Sequence, residues 1–177
     1  MPGVAWRTRS VAAADVPFLR AMLYEAAFWN PTTPRPEIRE AMADPHLAHY
    51  INGWGRPGDL AVIAFDVAEQ SAGAAWPRLF SPAAPGYGFI DEGTPELSIG
   101  VRAEHRGHGA GTALMSALLD TARAHGIAAV SLSVDPANPS LRLYQRFGFV
   151  RAGESGGSWT MRLALAPRLP AVGEQSE

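Results

Sequence analysis

One loop constrains this chain more than any other feature, because it places three glycines at alternating positions between two regular elements. It follows a strand pattern that ends at Val101, precedes a helix pattern that ends near His125, and reads Arg106-Gly107-His108-Gly109-Ala110-Gly111. Glycine has no Cβ atom, so a ligand can approach the backbone amides closely. Those amides lie at a helix N-terminus, where unpaired N–H groups and the helix dipole favour negative charge. The loop therefore predicts a binding site for a phosphate or diphosphate.

Two common phosphate-binding motifs do not fit this loop. A P-loop needs a lysine and then a serine or threonine after its last glycine, whereas Gly111 is followed by Thr112 and Ala113. A dinucleotide fingerprint needs its third glycine three residues after the second and an acid on the next strand, but the first acid after the next strand pattern begins is Asp135. An ordinary strand-to-helix turn is the alternative that involves no ligand.

Composition limits the partners that we expect. The chain has 177 residues, of which 47% are hydrophobic, enough for one compact domain over 1–166. We expect the tail, 167–177, to be disordered. The formal net charge of −2 provides no long-range attraction for polyanions, so neither nucleic acid nor an anionic membrane surface is an expected partner.

The absence of cysteine excludes disulfides, thiolate metal sites and a cysteine nucleophile. The N-terminal residues contain no apolar run of signal-peptide length, and no stretch approaches the roughly 20 apolar residues of a membrane span. These patterns lead us to expect a cytoplasmic protein.

Hydrophobic periodicity predicts an α/β (α+β) fold with six to seven strands and about four helices. In the last predicted helix, Asn138 is expected as N-cap and Pro139 as the first helical residue. The predicted strands cover 5–11, 60–66, 72–80, 96–101, 128–134, 149–152 and 159–165, and the predicted helices about 13–27, 37–43, 109–125 and 138–148.

A second motif follows the glycine loop and reads Asn138-Pro139-Ser140-Leu141-Arg142-Leu143-Tyr144-Gln145-Arg146-Phe147-Gly148-Phe149. Together the two motifs resemble the GNAT family of N-acetyltransferases, which has a Gln/Arg-x-x-Gly-x-Gly/Ala loop and then an asparagine followed six residues later by tyrosine and by Gly-Phe. The resemblance spans Glu96 to about Ala152. The first half of the chain matches this family only in the order of its elements.

The resemblance implies a twisted, mixed and mostly antiparallel sheet of six to seven strands, flanked by about four helices. Its central parallel strands, one beginning at Glu96 and one ending at Val134, splay apart to admit pantetheine. It also implies transfer of an acetyl group from acetyl-CoA to a primary amine of a small molecule or peptide. Because the chain has no cysteine to carry the acetyl group, we expect direct transfer in a ternary complex. A non-catalytic acetyl-CoA-binding module and an enzyme for longer acyl-CoA remain alternatives, and a homodimer is one option for assembly.

The resemblance also assigns residues to cofactor binding. The backbone amide of Val101 is the expected donor to the oxyanion, and Arg102 and Arg106 are expected to flank the phosphates. The full predicted cofactor set is Ile99, Gly100, Val101, Arg106, Gly107, His108, Gly109, Ala110, Gly111, Thr112, Asn138 and Tyr144.

Amine attack requires a base, because a free alkylamine is mostly protonated at neutral pH. Glu96 is the preferred candidate, since it begins the strand that borders the cleft, and Glu25, Asp91 and Glu92 are alternatives. Tyr144 is the candidate general acid for the departing thiolate. By spacing alone this tyrosine would be a core aromatic residue, and its place in the second motif favours the catalytic role.

The acceptor side carries weaker signals. Trp29, at the end of a helix and before a proline-rich loop, is a candidate acceptor-binding residue together with Glu25, and the long loop 81–94 is a candidate wall of the same cleft. His105 and His108 have no third ligand at a recognisable spacing, so no metal site is predicted.

Overall fold

The computed structural model describes residues 5–166, which form seven strands and five helices; the tail predicted to be disordered, 167–177, lies outside these residues. In chain order the elements are β1 (Arg7–Ser10), α1 (Val16–Ala27), α2 (Ile38–Ala41), α3 (Pro45–Ala48), β2 (Val62–Phe65), β3 (Ser71–Arg78), β4 (Glu96–Val101), α4 (Ala110–Ala124), β5 (Ala129–Val134), α5 (Leu141–Arg146), β6 (Val150–Ser155) and β7 (Ser158–Ala164).

The helix α3 is absent from the sequence-based prediction. It is a single turn that begins at Pro45, and the carboxylate of Asp44 accepts a hydrogen bond from the His46 amide at 2.9 Å. An aspartate cap followed by proline is a helix-start signal that periodicity does not detect in so short an element. The turn is important here because it places Tyr50 over the sheet.

All seven strands form one sheet in the order β1-β2-β3-β4-β5-β7-β6. Every neighbouring pair is antiparallel except β4 and β5, which confirms the predicted mixed sheet with a parallel central pair. The β4–β5 ladder consists of one residue pair, Glu96 with Ser131, whereas the β5–β7 ladder has six pairs. Beyond that one pair the two strands separate and leave a gap in the middle of the sheet.

The sheet has an apolar core on each face. On one face, α4 buries Leu114, Met115 and Leu118 against the strands, as its i, i+3, i+4 apolar spacing dictates. On the other face, α1 buries Leu19 and Met22 beside the aromatic side chains of the second core. The two helices thus cover opposite faces of the sheet, and both pack against β3 and β4.

The contact between α1 and β4 depends on a glycine. A Cβ atom on Gly100 would lie 2.0 Å from the carbonyl oxygen of Met22, so any side chain there would push the helix away from the strand. This close packing brings the C-terminal end of α1, with Glu25 and Trp29 near it, to the edge of the gap.

Candidate active site

The gap between β4 and β5 opens into a cleft of about 690 Å³. Its walls are the end of α1, the second half of β4, the glycine loop, the end of β5 and one face of α5. Twelve of the residues predicted for the site line this cleft: Glu25, Trp29, Ile99, Gly100, Val101, Arg106, Gly107, Gly109, Gly111, Thr112, Asn138 and Tyr144.

Three predicted site residues, His108, Ala110 and Glu96, do not line the cleft. Ala110 is buried under the start of α4, and the His108 carbonyl faces the Trp6 side chain. Glu96 is only 3% exposed and lies at the closed end of the gap, where β4 and β5 are still paired. The predicted role of His108 and Ala110 in cofactor binding therefore depends on their backbone groups. The predicted role of Glu96 as base depends on access to its carboxyl from the acceptor side.

The free edge of β4 presents backbone amides to the cleft. The Arg102 amide bonds to the Ala72 carbonyl of the β3 edge, and the Ser131 amide bonds to the Pro95 carbonyl, so successive residues of β4 face β3 and β5 alternately. By this alternation the amides of Ile99 and Val101 point toward β5. On the side that faces β5, no strand among residues 5–166 pairs with that part of β4, so both amides are available to a ligand in the gap.

Left-handed backbone conformations shape the glycine loop. Gly107 has φ = 75° and Gly109 has φ = 93°, and Gly109 is the N-cap of α4. The amides in the first turn of α4, 110–112, have no partner inside the helix and form the positive end of its dipole. Gly111 has another purpose, because a Cβ atom there would lie 3.2 Å from the Leu143 side chain on α5.

Trp6 supports the glycine loop from the side away from α5. Its indole N–H donates a hydrogen bond of 2.8 Å to the His108 carbonyl, and its ring meets that of His105 edge-to-face with 5.7 Å between centroids. Trp6 and His108 are 102 residues apart in the chain. Sequence reasoning missed Trp6, because no local pattern relates a residue in front of β1 to this loop.

Glu25 joins the acceptor side of the cleft to the glycine loop. One carboxylate oxygen accepts from Arg106 at 2.6 Å and the other from Arg35 at 2.7 Å. Arg106 also donates from Nε to the Val101 carbonyl at 3.0 Å. Both oxygens of Glu25 are therefore engaged, so this residue links the glycine loop to the loop that follows α1.

Glu96 has the environment of a buried acid. Its Oε1 accepts a 2.7 Å hydrogen bond from the hydroxyl of Tyr50, and that hydroxyl accepts one of 2.7 Å from the Tyr87 amide in the long loop before β4. Burial raises the pKa of Glu96 to about 7, although the Tyr50 hydrogen bond and the nearby Gly88 amide favour its charged form. The alternative acids Asp91 and Glu92 are exposed on the loop.

Tyr144 is 7% exposed and projects from α5 into the cleft wall, with its ring 6.0 Å from that of Phe149. Burial raises the pKa of its phenol to about 12. Asn138 does not cap this helix, so that prediction is wrong: α5 begins at Leu141 with Ser140 as N-cap. The Asn138 side chain instead accepts from the Ser140 amide at 2.9 Å and stabilises the preceding turn.

Two further features concern ions and membranes. Within residues 5–166, no three histidine, cysteine, aspartate or glutamate side chains gather in a way that would hold a metal ion. In the same part of the chain, none of the helices has both the length and the apolar character that a membrane span requires.

The sequence of this chain matches a protein family and a known enzyme. Residues 23–149 match the family model described as acetyltransferase (GNAT) family. The chain is also 31% identical over 175 residues to the L-methionine sulfoximine/L-methionine sulfone acetyltransferase of Pseudomonas paraeruginosa, an alignment that covers 90% of this chain and 94% of that protein.

Solved structures share the fold. A GNAT superfamily phosphinothricin acetyltransferase from Sinorhizobium meliloti, in complex with AcCoA, superposes with a TM-score of 0.64 and 23% identity over 90% of this chain and 88% of the other. An N-acetyltransferase from Staphylococcus aureus gives a TM-score of 0.66 and 21% identity over 92% and 99%.

Proposed function

The chain belongs to the acetyltransferase (GNAT) family, and we propose that it transfers the acetyl group of acetyl-CoA directly to the primary amine of a small, amino-acid-like acceptor. The observation that carries this proposal is the single residue pair between β4 and β5. It leaves a cleft with strand amides at its narrow end and a helix N-terminus at its mouth, which suits a long ligand with an anionic end.

The residues present fit coenzyme A. The first-turn amides of α4, with Gly107 and Gly109 folded back in left-handed conformations, suit its diphosphate. The free amides of Ile99 and Val101 suit the amide groups of pantetheine and the thioester carbonyl. When bound, acetyl-CoA supplies the activated acetyl group.

We assign the base to Glu96. An alkylamine has a pKa near 10.4 and is mostly protonated at pH 7, so a group that accepts its proton raises the reactive fraction. With a pKa of about 7, Glu96 is ionised in about half of the molecules at neutral pH. The Glu96 carboxyl is buried at the end of the gap. We expect the amine to enter beside loop 81–94 and to give its proton to this carboxyl either directly or through one water molecule.

The Val101 amide is the group best directed to stabilise negative charge on the acetyl oxygen as the amine attacks. A preorganised donor of this kind contributes on the order of 10²–10³-fold in rate. Arg106 holds the carbonyl of the same residue at 3.0 Å, so the end of β4 is fixed in place before the reaction.

Tyr144 has the position to contact the departing sulfur. Its pKa of about 12 lies above the roughly 8.5 of a thiol, so complete proton transfer would be uphill by about 5 kcal/mol. We therefore assign it a hydrogen bond to the sulfur, which stabilises the developing thiolate without loss of the phenolic proton.

The acceptor proposal starts from the relative in Pseudomonas paraeruginosa, which is named for L-methionine sulfoximine and L-methionine sulfone. The acceptor end of the present cleft carries Trp29 and Pro31, which provide apolar surface. A compact amino acid with a polar sulfone and an apolar stem is consistent with such a wall.

The test is thiol release from acetyl-CoA by the purified protein, with L-methionine sulfone and L-methionine sulfoximine as acceptors and N-acetyl-L-methionine sulfone as the blocked control. We expect release only with a free amine, and initial-rate lines that intersect, as direct transfer requires. Tight coenzyme A binding without transfer to any of a wider panel of amines would instead support a binding module. Faster turnover with butyryl-CoA would favour the longer-acyl alternative.

A further inference from the structure

We propose that Tyr50 is a positioning residue for the reaction: its hydroxyl holds Oε1 of Glu96 and leaves Oε2 as the oxygen that accepts the acceptor's proton. The inference rests on the proposed role of Glu96 as the base. Tyr50 reaches the carboxyl from 46 residues away, on the segment that follows α3.

The direction of the Tyr50 hydrogen bond is determined by its neighbours. The hydroxyl oxygen accepts from the Tyr87 amide at 2.7 Å, and a backbone amide can only donate. The single hydroxyl hydrogen is then free to point at Oε1 of Glu96, also at 2.7 Å. Tyr50 is 5% exposed and packs against the rings of His49 and Phe80, with both centroids 4.8 Å away, so its ring has little freedom to turn.

The other carboxylate oxygen has no such partner. Oε2 of Glu96 is buried and makes no hydrogen bond with any residue in the range 5–166; the Gly88 amide is near but lacks hydrogen-bond geometry. A carboxyl whose Oε1 already accepts a hydrogen bond takes its proton on the free oxygen. Tyr50 therefore determines which atom of Glu96 titrates.

The backbone of Gly86 in the long loop packs directly against that atom. A Cβ atom at this position would lie 2.0 Å from Oε2 of Glu96 and 2.8 Å from the Tyr50 hydroxyl. The backbone of Gly86 is not left-handed, so the glycine is required by space rather than by conformation. Loop 81–94 thus closes over Oε2 while leaving it free of side chains.

Among the described residues 5–166, no charged side chain makes a hydrogen bond with Glu96. Arg78 is opposite Glu96 on β3, but its guanidinium points to the His49 carbonyl at 3.2 Å and to Asp59 at 3.7 Å. Burial lowers the pKa of His49 and raises the pKa of Tyr87, so both side chains are neutral near pH 7. Tyr50 is therefore the main hydrogen-bond donor to the Glu96 carboxyl.

The proposal predicts a characteristic pH profile for Tyr50→Phe. Loss of a donor to the carboxylate raises the pKa of Glu96, and a rise of about one unit from about 7 lowers the ionised fraction at pH 7 roughly five-fold. We expect kcat with acetyl-CoA and L-methionine sulfone to fall by that factor at pH 7 and to recover at pH 9. The acceptor's own titration is common to all variants.

A matched control is Tyr87→Phe, which removes a neighbouring hydroxyl but keeps the backbone amide that binds Tyr50. Its profile should keep the midpoint of the unmodified protein. An independent measurement is the NMR titration of the ¹³C-labelled carboxyl of Glu96 without acceptor, assigned by its loss in Glu96→Gln. The midpoint should rise in Tyr50→Phe and not in Tyr87→Phe.

Three outcomes distinguish the proposal that Glu96 is the base from the proposal that Tyr50 positions it. If Glu96→Gln abolishes turnover but Tyr50→Phe leaves both midpoints unchanged, Glu96 is the base and the positioning role of Tyr50 is wrong. If Glu96→Gln keeps the rate and profile of the unmodified protein, the base assignment fails and the role of Tyr50 fails with it. A rate loss in Tyr50→Phe that persists at pH 9, without a shifted titration, also overturns the inference.

Discussion

The two halves of this molecule build their parts of the cleft in different ways. From β4 to α5 the site is made mainly of backbone: the free amides of Ile99 and Val101, and a helix N-terminus shaped by Gly107 and Gly109. From β1 to the loop before β4 it is made of side chains brought together over long distances, such as Tyr50 on Glu96. Substitutions in the first region should therefore affect cofactor binding, and those in the second should affect catalysis or the acceptor.

Glu96 is the strongest test of this division, because it belongs to β4 while its side chain contacts Tyr50 in the other region. We expect Glu96→Gln to reduce kcat by roughly 10²–10⁴-fold, since the amide accepts no proton. Coenzyme A affinity, measured by calorimetry, should be unchanged. If kcat and the affinity for coenzyme A fell by the same factor, the two regions would not act separately.

Glu96→Gln should increase the stability of the protein although it decreases kcat. The pKa of Glu96 is about 7 in the folded protein against an ordinary 4.5, so its ionisation costs stability as the pH rises through this window. At pH 8 the cost is about 3 kcal/mol, and below pH 4.5 it disappears. Glu96→Gln should therefore raise the free energy of unfolding in urea at pH 8 and leave it almost unchanged at pH 4.

Tyr144 gives the next largest expected effect. Tyr144→Phe keeps the buried ring but removes the hydrogen bond proposed for the sulfur, so kcat should fall about ten-fold, as for one hydrogen bond to a charged group. Affinity for coenzyme A should stay within two-fold by the same calorimetry. Turnover equal to that of the unmodified enzyme would remove the tyrosine from the mechanism.

Gly109 tests the backbone region. In Gly109→Ala the new side chain must adopt φ = 93°, which costs about 1–2 kcal/mol, and relaxation should misdirect the first amides of α4. We expect coenzyme A to bind five- to ten-fold more weakly, with an unchanged KM for the amine. Gly126→Ala is the matched control: φ is 73° at the far end of α4, nothing lies within 4 Å, and only stability should suffer.

Glu25 should give the smallest effect and links the two regions. Its ion pairs are partly exposed, so Glu25→Gln should cost at most about 1 kcal/mol. The expected result is a two- to three-fold rise in KM for both acetyl-CoA and the amine, decreasing at high salt. A control is Glu69→Gln, which removes an exposed partner of Arg7; neither residue lines the cleft.

The sequence predicts the backbone region well for a physical reason. A helix N-terminus preceded by glycines with positive φ must be encoded within a few residues, so Gly107 and Gly109 stand in one short motif. The second motif likewise placed Tyr144 on the cleft wall. Its predicted helix start was wrong by two residues because Asn138 stabilises a turn in front of α5.

The side-chain region could not be predicted in this way. Tyr50, Trp6 and Arg35 reach the site through tertiary contacts, and their neighbours in sequence carry no pattern that indicates a role. Trp29 was predicted from its place at a helix end and Glu25 as an alternative base, and both line the cleft. The arginine partners that engage both oxygens of Glu25 become apparent only in the folded chain.

The one-pair junction between β4 and β5 has a mechanical consequence. It divides a seven-stranded sheet into a block of four strands and a block of three, and only one residue pair connects the two blocks within the sheet. A ligand that bonds to the free edge of β4 and fills the gap toward β5 acts as a missing strand. If acetyl-CoA binds in this way, it completes the sheet, and we expect the molecule to be stiffest when it holds both reactants.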